Sequence, residues 1–312
     1  MQRHKIILNP KAHGGEAAGH AEQVKALFTA YGLNFELALT DHEGDGARLA
    51  KEAIERGFQI IVAAGGDGLA GEVAGALVGS QAVFGMIPLG SGDDFAKSLK
   101  IGRSIPQAVE AIRDRQTMMV DAGTVSSPLP GGQKLERYFF NCVGIGLDGE
   151  VIIEKLKIKG LRDLKLYLWA TVKALLRYKG QKMSFDFGQG KVWHQTLVAE
   201  ITNGKSVGGG YYLNPGAKVD DGLLDLCLIH KLTWLEFFNH VPKTFKGRHT
   251  EIRQVTMGKL TRVTVESETP MSAQVDGELW PYVNRFDISI VPRALQCIAG
   301  KDDAGERLKS FS

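Results

Sequence analysis

The segment Ile60–Glu72, IIVAAGGDGLAGE, places the strongest constraint on the fold. An apolar strand runs into a glycine turn, and the turn runs into a helix. A strand that is apolar at every position must be covered on both faces, as happens in a parallel sheet between two helix layers. The pattern returns one strand later in Ile87–Leu99, IPLGSGDDFAKSL. Lys5–Leu8, Phe35–Leu39, Gln59–Ala64 and Val83–Ile87 read as the strands of such a sheet. Between them, Glu16 to Tyr31, Gly46 to Arg56 and Ala70 to Val78 carry apolar residues at helical spacing. The first ~120 residues therefore predict a parallel α/β domain with helices on both faces.

The pattern changes after Asp121. Met118–Val125, Arg137–Val143, Met183–Phe187, Thr196–Thr202, Leu224–Ile229, Arg262–Glu266 and Arg285–Val291 read as strands. Gly149–Tyr178 and Trp234–Lys246 are the helical exceptions, and Ser126–Gly132 reads as an exposed hairpin loop. This half is predicted to be antiparallel and β-rich.

Glycine is in excess, at 38 of 312 residues against a usual share of about 7%. Without a collagen period, the excess must sit in turns and ligand loops. Consecutive strand ends of a parallel sheet lie on one edge, where such folds bind ligands. Glycines there let backbone amides approach phosphate oxygens, and a helix N-terminus adds its positive dipole. The first loop lacks the Gly-Lys-Ser/Thr of a Walker A motif. Asp67 suits an indirect Mg²⁺ ligand, although an ordinary strand-to-helix turn accounts for the loop as well. Ser91 can donate to a phosphate. Asp93 or Asp94 either caps the helix beginning near Phe95 or lines a site. Asn9 and Lys11 follow the first strand at the same edge and suit phosphate or ribose, whereas His13 reads as a solvated loop residue.

Three segments of the second half carry further polar groups. Asn141–Glu150, NCVGIGLDGE, is a strand-to-helix turn in which Asp148 begins the helix. Gly208–Leu226, GGGYYLNPGAKVDDGLLDL, holds Asp220 and Asp221 with carbonyls suited to Mg²⁺ or Ca²⁺. Ala273–Glu278, AQVDGE, is a hairpin turn whose Glu278 is placed to serve either as a turn residue or as a general base.

Composition excludes several classes. With 44% hydrophobic and 23% charged residues the chain is not mainly disordered. A net charge of +3 and the lack of a reading motif argue against nucleic acid. Cys142, Cys227 and Cys297 form no CxxC pair. The apolar run near the N-terminus is too short for a signal peptide, and no stretch reaches a membrane span, so a cytoplasmic protein is expected. Lys155 to Lys182 nevertheless holds nine Lys or Arg against one acid, interleaved with Leu161, Leu164, Leu168, Trp169, Val172 and Leu176. Such a segment is either a packed helix with a solvated basic face or a peripheral membrane contact.

Taken in order, NPKAHGG, GGDG followed by Glu72, PLGSGDDFAKSL, NCVGIGLDGE, GGGYYLNPGAKVDDGLLDL and QVDGE resemble the diacylglycerol kinase catalytic-domain family of lipid kinases, including its soluble bacterial YegS-like members. The resemblance spans residues 9 to 278. It implies a doubly wound α/β domain of the NAD kinase and phosphofructokinase kind over 1–122 and a β-sandwich-like domain over 123–284. Residues 285–312 would return to the first domain, with the active site in a cleft between the domains.

The implied reaction is transfer of the γ-phosphoryl of ATP to a lipid hydroxyl, of diacylglycerol or a similar lipid, with Mg²⁺. By the same resemblance, Asn9, Thr40, Gly65, Gly66, Asp67, Gly68, Glu72 and Ser91 would bind ATP. Asp94 would line the cleft, and Glu278 would be the general base. Asp221, with the carbonyls of Lys218 and Leu223, would hold a metal. Two departures stand out: Leu69 takes the place of the family's threonine in GGDGT, and Ser91 and Asp93 turn GTGND into GSGDD. The competing readings are a kinase of a soluble substrate such as NAD and a nucleotide-dependent lipid-binding protein without kinase activity.

Overall fold

The computed structural model describes residues 2–12, 17–158, 160 and 163–301. His13, Gly14 and Gly15 of the first motif, and Lys159, Leu161 and Arg162 of the basic segment, lie outside the described residues. The chain forms two compact units, Met1–Met119 with Leu295–Ser312, and Val120–Ala294. The second structural division falls within the last long strand, ten residues beyond the expected 284/285 boundary.

Unit 1 alternates β1 (Arg3–Leu8), α1 (Ala17–Ala30), β2 (Asn34–Leu39), α2 (Asp45–Glu55), β3 (Ile60–Gly65), α3 (Asp67–Leu77), β4 (Val83–Pro88), α4 (Asp94–Ser98) and α5 (Ile105–Asp114). The strands pair in parallel in the order β2-β1-β3-β4. Ile6, Ile7, Leu8 and every residue of β3 are buried, as two-sided cover requires. Helix α2 packs on α3 and α1 on α5. Helix α5 has no counterpart in the expected elements, although Ser104 and Gln107 form a capping box on either side of Pro106. The chain leaves along β5 (Thr117–Pro128), so strand takes the first three residues of the expected 126–132 loop.

Unit 2 contains β6 (Lys134–Phe139), β7 (Cys142–Gly146), α6 (Leu147–Lys157), α7 (Asp163–Arg177), β8 (Gln181–Asp186), β9 (Lys191–Thr202), β10 (Leu224–His230), α8 (Trp234–Thr244), β11 (Val255–Leu260), β12 (Arg262–Val275) and β13 (Glu278–Ile298). The end of β13 enters unit 1, where Cys297 pairs in parallel with Phe84 of β4. Strands β7, β9, β8 and β12 pair in a closed antiparallel cycle, and β10, β11 and β13 extend it. Inside lie Val143, Ile145, Phe185, Ile201, Val265, Ala273 and Phe286.

Two expected elements are each divided. Arg137–Val143 is not one strand: β6 ends at Phe139 because the amides of Phe140, Asn141 and Cys142 all turn to the Asp276 carboxylate. Gly149–Tyr178 is two helices, α6 and α7, packed on one another and on Leu197 and Val198 of β9.

Helix α6 sits directly on the backbone of β12. A Cβ at Gly149 would come within 2.4 Å of the Ala273 amide nitrogen and 2.5 Å of the Ser272 carbonyl carbon. Backbone cannot yield as a side-chain tip can. Gly149→Ala is therefore expected to destabilise the protein by about 1–3 kcal/mol, the usual cost of overpacking. Thermal unfolding measures this, and an unchanged midpoint would show that α6 is not seated as described.

Candidate active site

In unit 1 the loops after β3 and β4 touch through glycine. A Cβ at Gly90 would lie 2.6 Å from Gly66 Cα, so the second loop cannot carry a side chain there, and a Cβ at Gly66 would be tight against Gly90 at 3.3 Å. Gly66 precedes α3 with no side-chain cap, which leaves the start of that helix presented as bare backbone. Asn9 stands beside Gly65, with its Oδ1 accepting from the Lys11 amide at 2.9 Å. Thr40 is buried, and its amide donates to Leu8 O. Ser91 is exposed. These residues share one end of the parallel sheet.

The acids of these loops serve the backbone. Asp67 accepts from the amides of Asp94 at 3.2 Å and Phe95 at 3.1 Å, so the first turn of α4 is capped from the neighbouring loop and not by Asp93 or Asp94. Asp93 adopts a left-handed conformation, φ 48°, and reaches back to accept from the Gly90 amide at 3.0 Å. Asp94 is buried and pairs with Lys97 at 2.7 Å. Glu72 accepts from the amides of Gly44 and Gly46 at the start of α2. Burial, reinforced by the charge of Asp94, pushes the Asp67 carboxyl up to about 7. Burial likewise pushes Asp93 up to about 6. Three crowded carboxylates, one of them paired with Lys97, suit a further cation arriving with phosphate. Among the described residues, however, no three acidic, His or Cys side chains already form a metal cluster.

In unit 2 the expected DGE motif is the turn between β12 and β13. Asp276 is buried and accepts from the amides of Phe140, Asn141 and Cys142 at 2.8, 3.0 and 2.8 Å. That clamp fixes the turn, and Glu278 emerges from it half-buried and ion-paired with Arg137. Arg137 Nη2 is buried with no hydrogen-bond partner among the described residues. The expected metal loop is held in other ways. Asp221 Oδ1 accepts from the Leu223 amide, while Lys259 lies 2.9 Å from Asp221 and 3.0 Å from Asp225. The lysine supplies the positive charge there, so a metal held by Asp221 with the carbonyls of Lys218 and Leu223 would have to displace it.

Several residues escaped the sequence reading. Asp121 accepts from the amides of Gly222 and Arg293, each at 2.7 Å, and so fixes the loop that carries Asp221. Glu200 is an acid inside an apolar strand, a signal visible in TLVAEIT. A cavity of about 420 Å³ on unit 2, lined by Thr124, Arg262, Asp287 and neighbours, holds none of the expected site residues.

The unit 1 acids generate a pH prediction. Because the Asp93 carboxyl is raised in the folded state, its protonated form favours folding at low pH, and that contribution is lost as pH rises through about 6. Asn tolerates the left-handed backbone and still accepts from Gly90, yet carries no charge. Asp93→Asn should match wild type near pH 4 and exceed it by about 1–2 kcal/mol near pH 8. Denaturant melts at the two pH values would reveal the difference. An equal offset at both would remove the electrostatic account.

Comparison with known proteins follows the same division. The model of the diacylglycerol kinase catalytic domain matches residues 3–125, and that of the YegS C-terminal NAD kinase beta sandwich-like domain matches residues 141–299. A diacylglycerol kinase of Bacillus subtilis (strain 168) is 29% identical over 282 residues, covering 89% of this chain and 90% of the relative. A protein of Chromohalobacter salexigens named "Probable lipid kinase YegS-like" is 28% identical, with coverages of 95% and 93%. A crystal structure of a diacylglycerol kinase from Bacillus anthracis str. Sterne superposes with a TM-score of 0.73 at 18% identity, covering 96% of this chain and 97% of that one, and supports the fold. With both domain types matched in order, the chain belongs to the diacylglycerol kinase catalytic-domain family of lipid kinases.

Proposed function

We propose that this lipid kinase binds the ATP phosphates on the paired glycine loops of unit 1 and uses Glu278 of unit 2 to deprotonate a lipid hydroxyl. The observation that carries the reading is the contact of Gly66 with Gly90. It leaves two adjacent turns and an uncapped helix start as backbone donors at one sheet edge. Phosphoryl transfer demands positioning and charge neutralisation more than covalent help. Asn9, Thr40, Gly65, Gly66, Gly68 and Ser91 would position the nucleotide, while Asp67 and Glu72 would hold the loops to their neighbours.

Mg²⁺ commonly binds through one or two carboxylates together with substrate phosphates, and when bound it would neutralise phosphate charge. Asp67 and Asp94 are the residues suited to hold it. In the transfer, the lipid oxygen forms a bond to the γ-phosphorus, the bond from that phosphorus to ADP breaks, and the hydroxyl proton passes to Glu278. Arg137 orients the Glu278 carboxylate through their ion pair.

Helix α7 suggests how a lipid is reached. Its Ala170, Ala174 and Leu175 are buried against the unit, whereas Leu168, Trp169 and Leu176 are exposed among Lys165, Lys173 and Arg177. No helix among the described residues is long and apolar enough to cross a membrane. An apolar edge flanked by cations suits the anionic inner face of a membrane, which peripheral binding would place in the cytoplasm.

Transfer of labelled phosphate from ATP to a lipid panel in mixed micelles tests the activity. Glu278→Gln should lower kcat by about 10²–10⁴-fold with the KM for ATP little changed. A folded variant with wild-type turnover would remove the assignment. For the membrane contact, replacing Trp169 and Leu176 together by Ser should weaken binding to phosphatidylglycerol vesicles roughly tenfold in a flotation assay. Undiminished flotation would sink it.

A further inference from the structure

The cavity of about 420 Å³ on unit 2 is not used by the phosphoryl-transfer mechanism. Strand alternation builds it. Val125, Val263, Phe286 and Ile288 point into the core, so Thr124 and Ser126 of β5, Arg262 of β12, and Asp287 and Ser289 of β13 share the opposite face. Arg262 pairs with Ser289, and Thr264 with Asp287 on one side and Asp186 on the other, which sets these side chains in adjacent rows. Lys134 and Glu136 of β6 lie opposite Pro128 and Ser126. Asp287 stands nine residues beyond Glu278 on β13, up to roughly 30 Å along the strand, so this cavity is separate from the proposed base.

The outer face of an antiparallel sheet is ordinarily polar. Here it is also concave, and its polar groups are unevenly satisfied. Glu136 pairs with Lys134 at 3.1 Å, and Asp287 is held by Thr264 and Arg285. Asp186 Oδ1 accepts from the amides of Gly188 at 2.7 Å and Gly190 at 3.2 Å, closing the turn between β8 and β9. Arg262, by contrast, has no ion pair or side-chain hydrogen bond among the described residues. Its guanidinium lies over Gly188, where an added Cβ would come within 2.9 Å of Nη2. Ser126 is only 6% exposed, and its hydroxyl also lacks a partner among the described residues. Every carboxylate of the cavity is thus engaged, while a guanidinium and a buried hydroxyl are free.

These groups define a ligand. A free guanidinium presents a planar fork of donors that matches phosphate oxygens. Carboxylates and hydroxyls on the remaining walls accept from ligand hydroxyls and repel a bare polyanion. Val263 and Ile288 turn their side chains to the core, so the walls offer little apolar surface to an acyl chain or a base.

We propose that this cavity binds a small phosphate ester bearing hydroxyls, of the glycerol phosphate kind. Arg262 holds the phosphate, and Ser126 and Asp186 take the hydroxyls. The same chemistry occurs in free polyol phosphates and in the head group of phosphatidylglycerol.

Calorimetry with sn-glycerol 3-phosphate, inorganic phosphate and glycerol at one ionic strength reads the site in solution. Wild type should bind glycerol 3-phosphate at least about tenfold more tightly than inorganic phosphate or glycerol, and Arg262→Ala should remove that binding. Ser126→Ala should weaken it about fivefold, the usual size of one neutral hydrogen bond. Arg262→Lys keeps the charge but loses the fork, and should retain only part of the affinity. Thermal melts of each variant report folding. Flotation with phosphatidylglycerol vesicles, against phosphatidylcholine vesicles, distinguishes the two sources. Loss of phosphatidylglycerol-specific flotation in Arg262→Ala places the ester in a lipid head group, whereas Arg262-dependent calorimetry with unchanged flotation places it in solution. Equal affinity for glycerol 3-phosphate and inorganic phosphate, or calorimetric binding that survives Arg262→Ala, overturns the proposal. So does the absence of Arg262-dependent binding in both assays.

Discussion

The Asp67 carboxylate bridges two loops that would otherwise be free to drift apart. It rises from the turn after β3 and caps the first turn of α4, which follows the turn after β4. The Gly66–Gly90 contact holds the same two loops together where Gly90 has no room for a side chain. Together they set the backbone surface at this end of the parallel sheet. The cost appears in the charge balance: burial and two neighbouring aspartates raise the Asp67 carboxyl to about 7. A cation bound at these loops would relieve that cost.

Unit 2 uses the same device in antiparallel form. Asp276 ends strand β6 and starts β7 by taking three consecutive amides, and in doing so it fixes the turn that presents Glu278. Asp121 does likewise for the loop of Asp221 and for the backbone at Arg293. Buried carboxylates satisfied by backbone donors are rigid, because moving them strands several polar groups at once. In both units, then, Asp67, Asp121 and Asp276 act through the backbone amides they hold and fix the loops around them.

The alternation of apolar strands with amphipathic helices made unit 1 legible, since β3 is buried at every residue as its sequence requires. Motif spacing likewise marked the loops carrying Gly66, Gly90 and Glu278. What stayed hidden was decided by contacts distant in sequence. Nothing local shows that Asp276 would interrupt the strand expected over 137–143, or that Lys259 would neutralise Asp221 across 38 residues. Strand β11 was missed because most of it is exposed and only Leu260 is buried, so it lacks the apolar signal of a core strand. Glu200 was visible as a misfit in an apolar strand, but the acid it meets over Gly144, Asp148, arrives from α6.

Position 69 shows how a departure from a family pattern is reread once packing is known. Set against the family pattern, a leucine in place of threonine removes a hydroxyl from the first glycine loop. In the structure Leu69 is buried, and its methyls fill the space over Gly65 and Gly46, where added Cβ atoms would lie 2.8 and 2.6 Å from them. The side chain thus secures α2 to the end of β3, next to the amides of Gly44 and Gly46 that Glu72 holds. A threonine would leave part of that space empty, and its hydroxyl would face an apolar contact. The leucine is therefore consistent with an intact loop. Asp93 is the departure with the larger electrostatic consequence, because it adds a partly buried charge between Gly90 and Asp94.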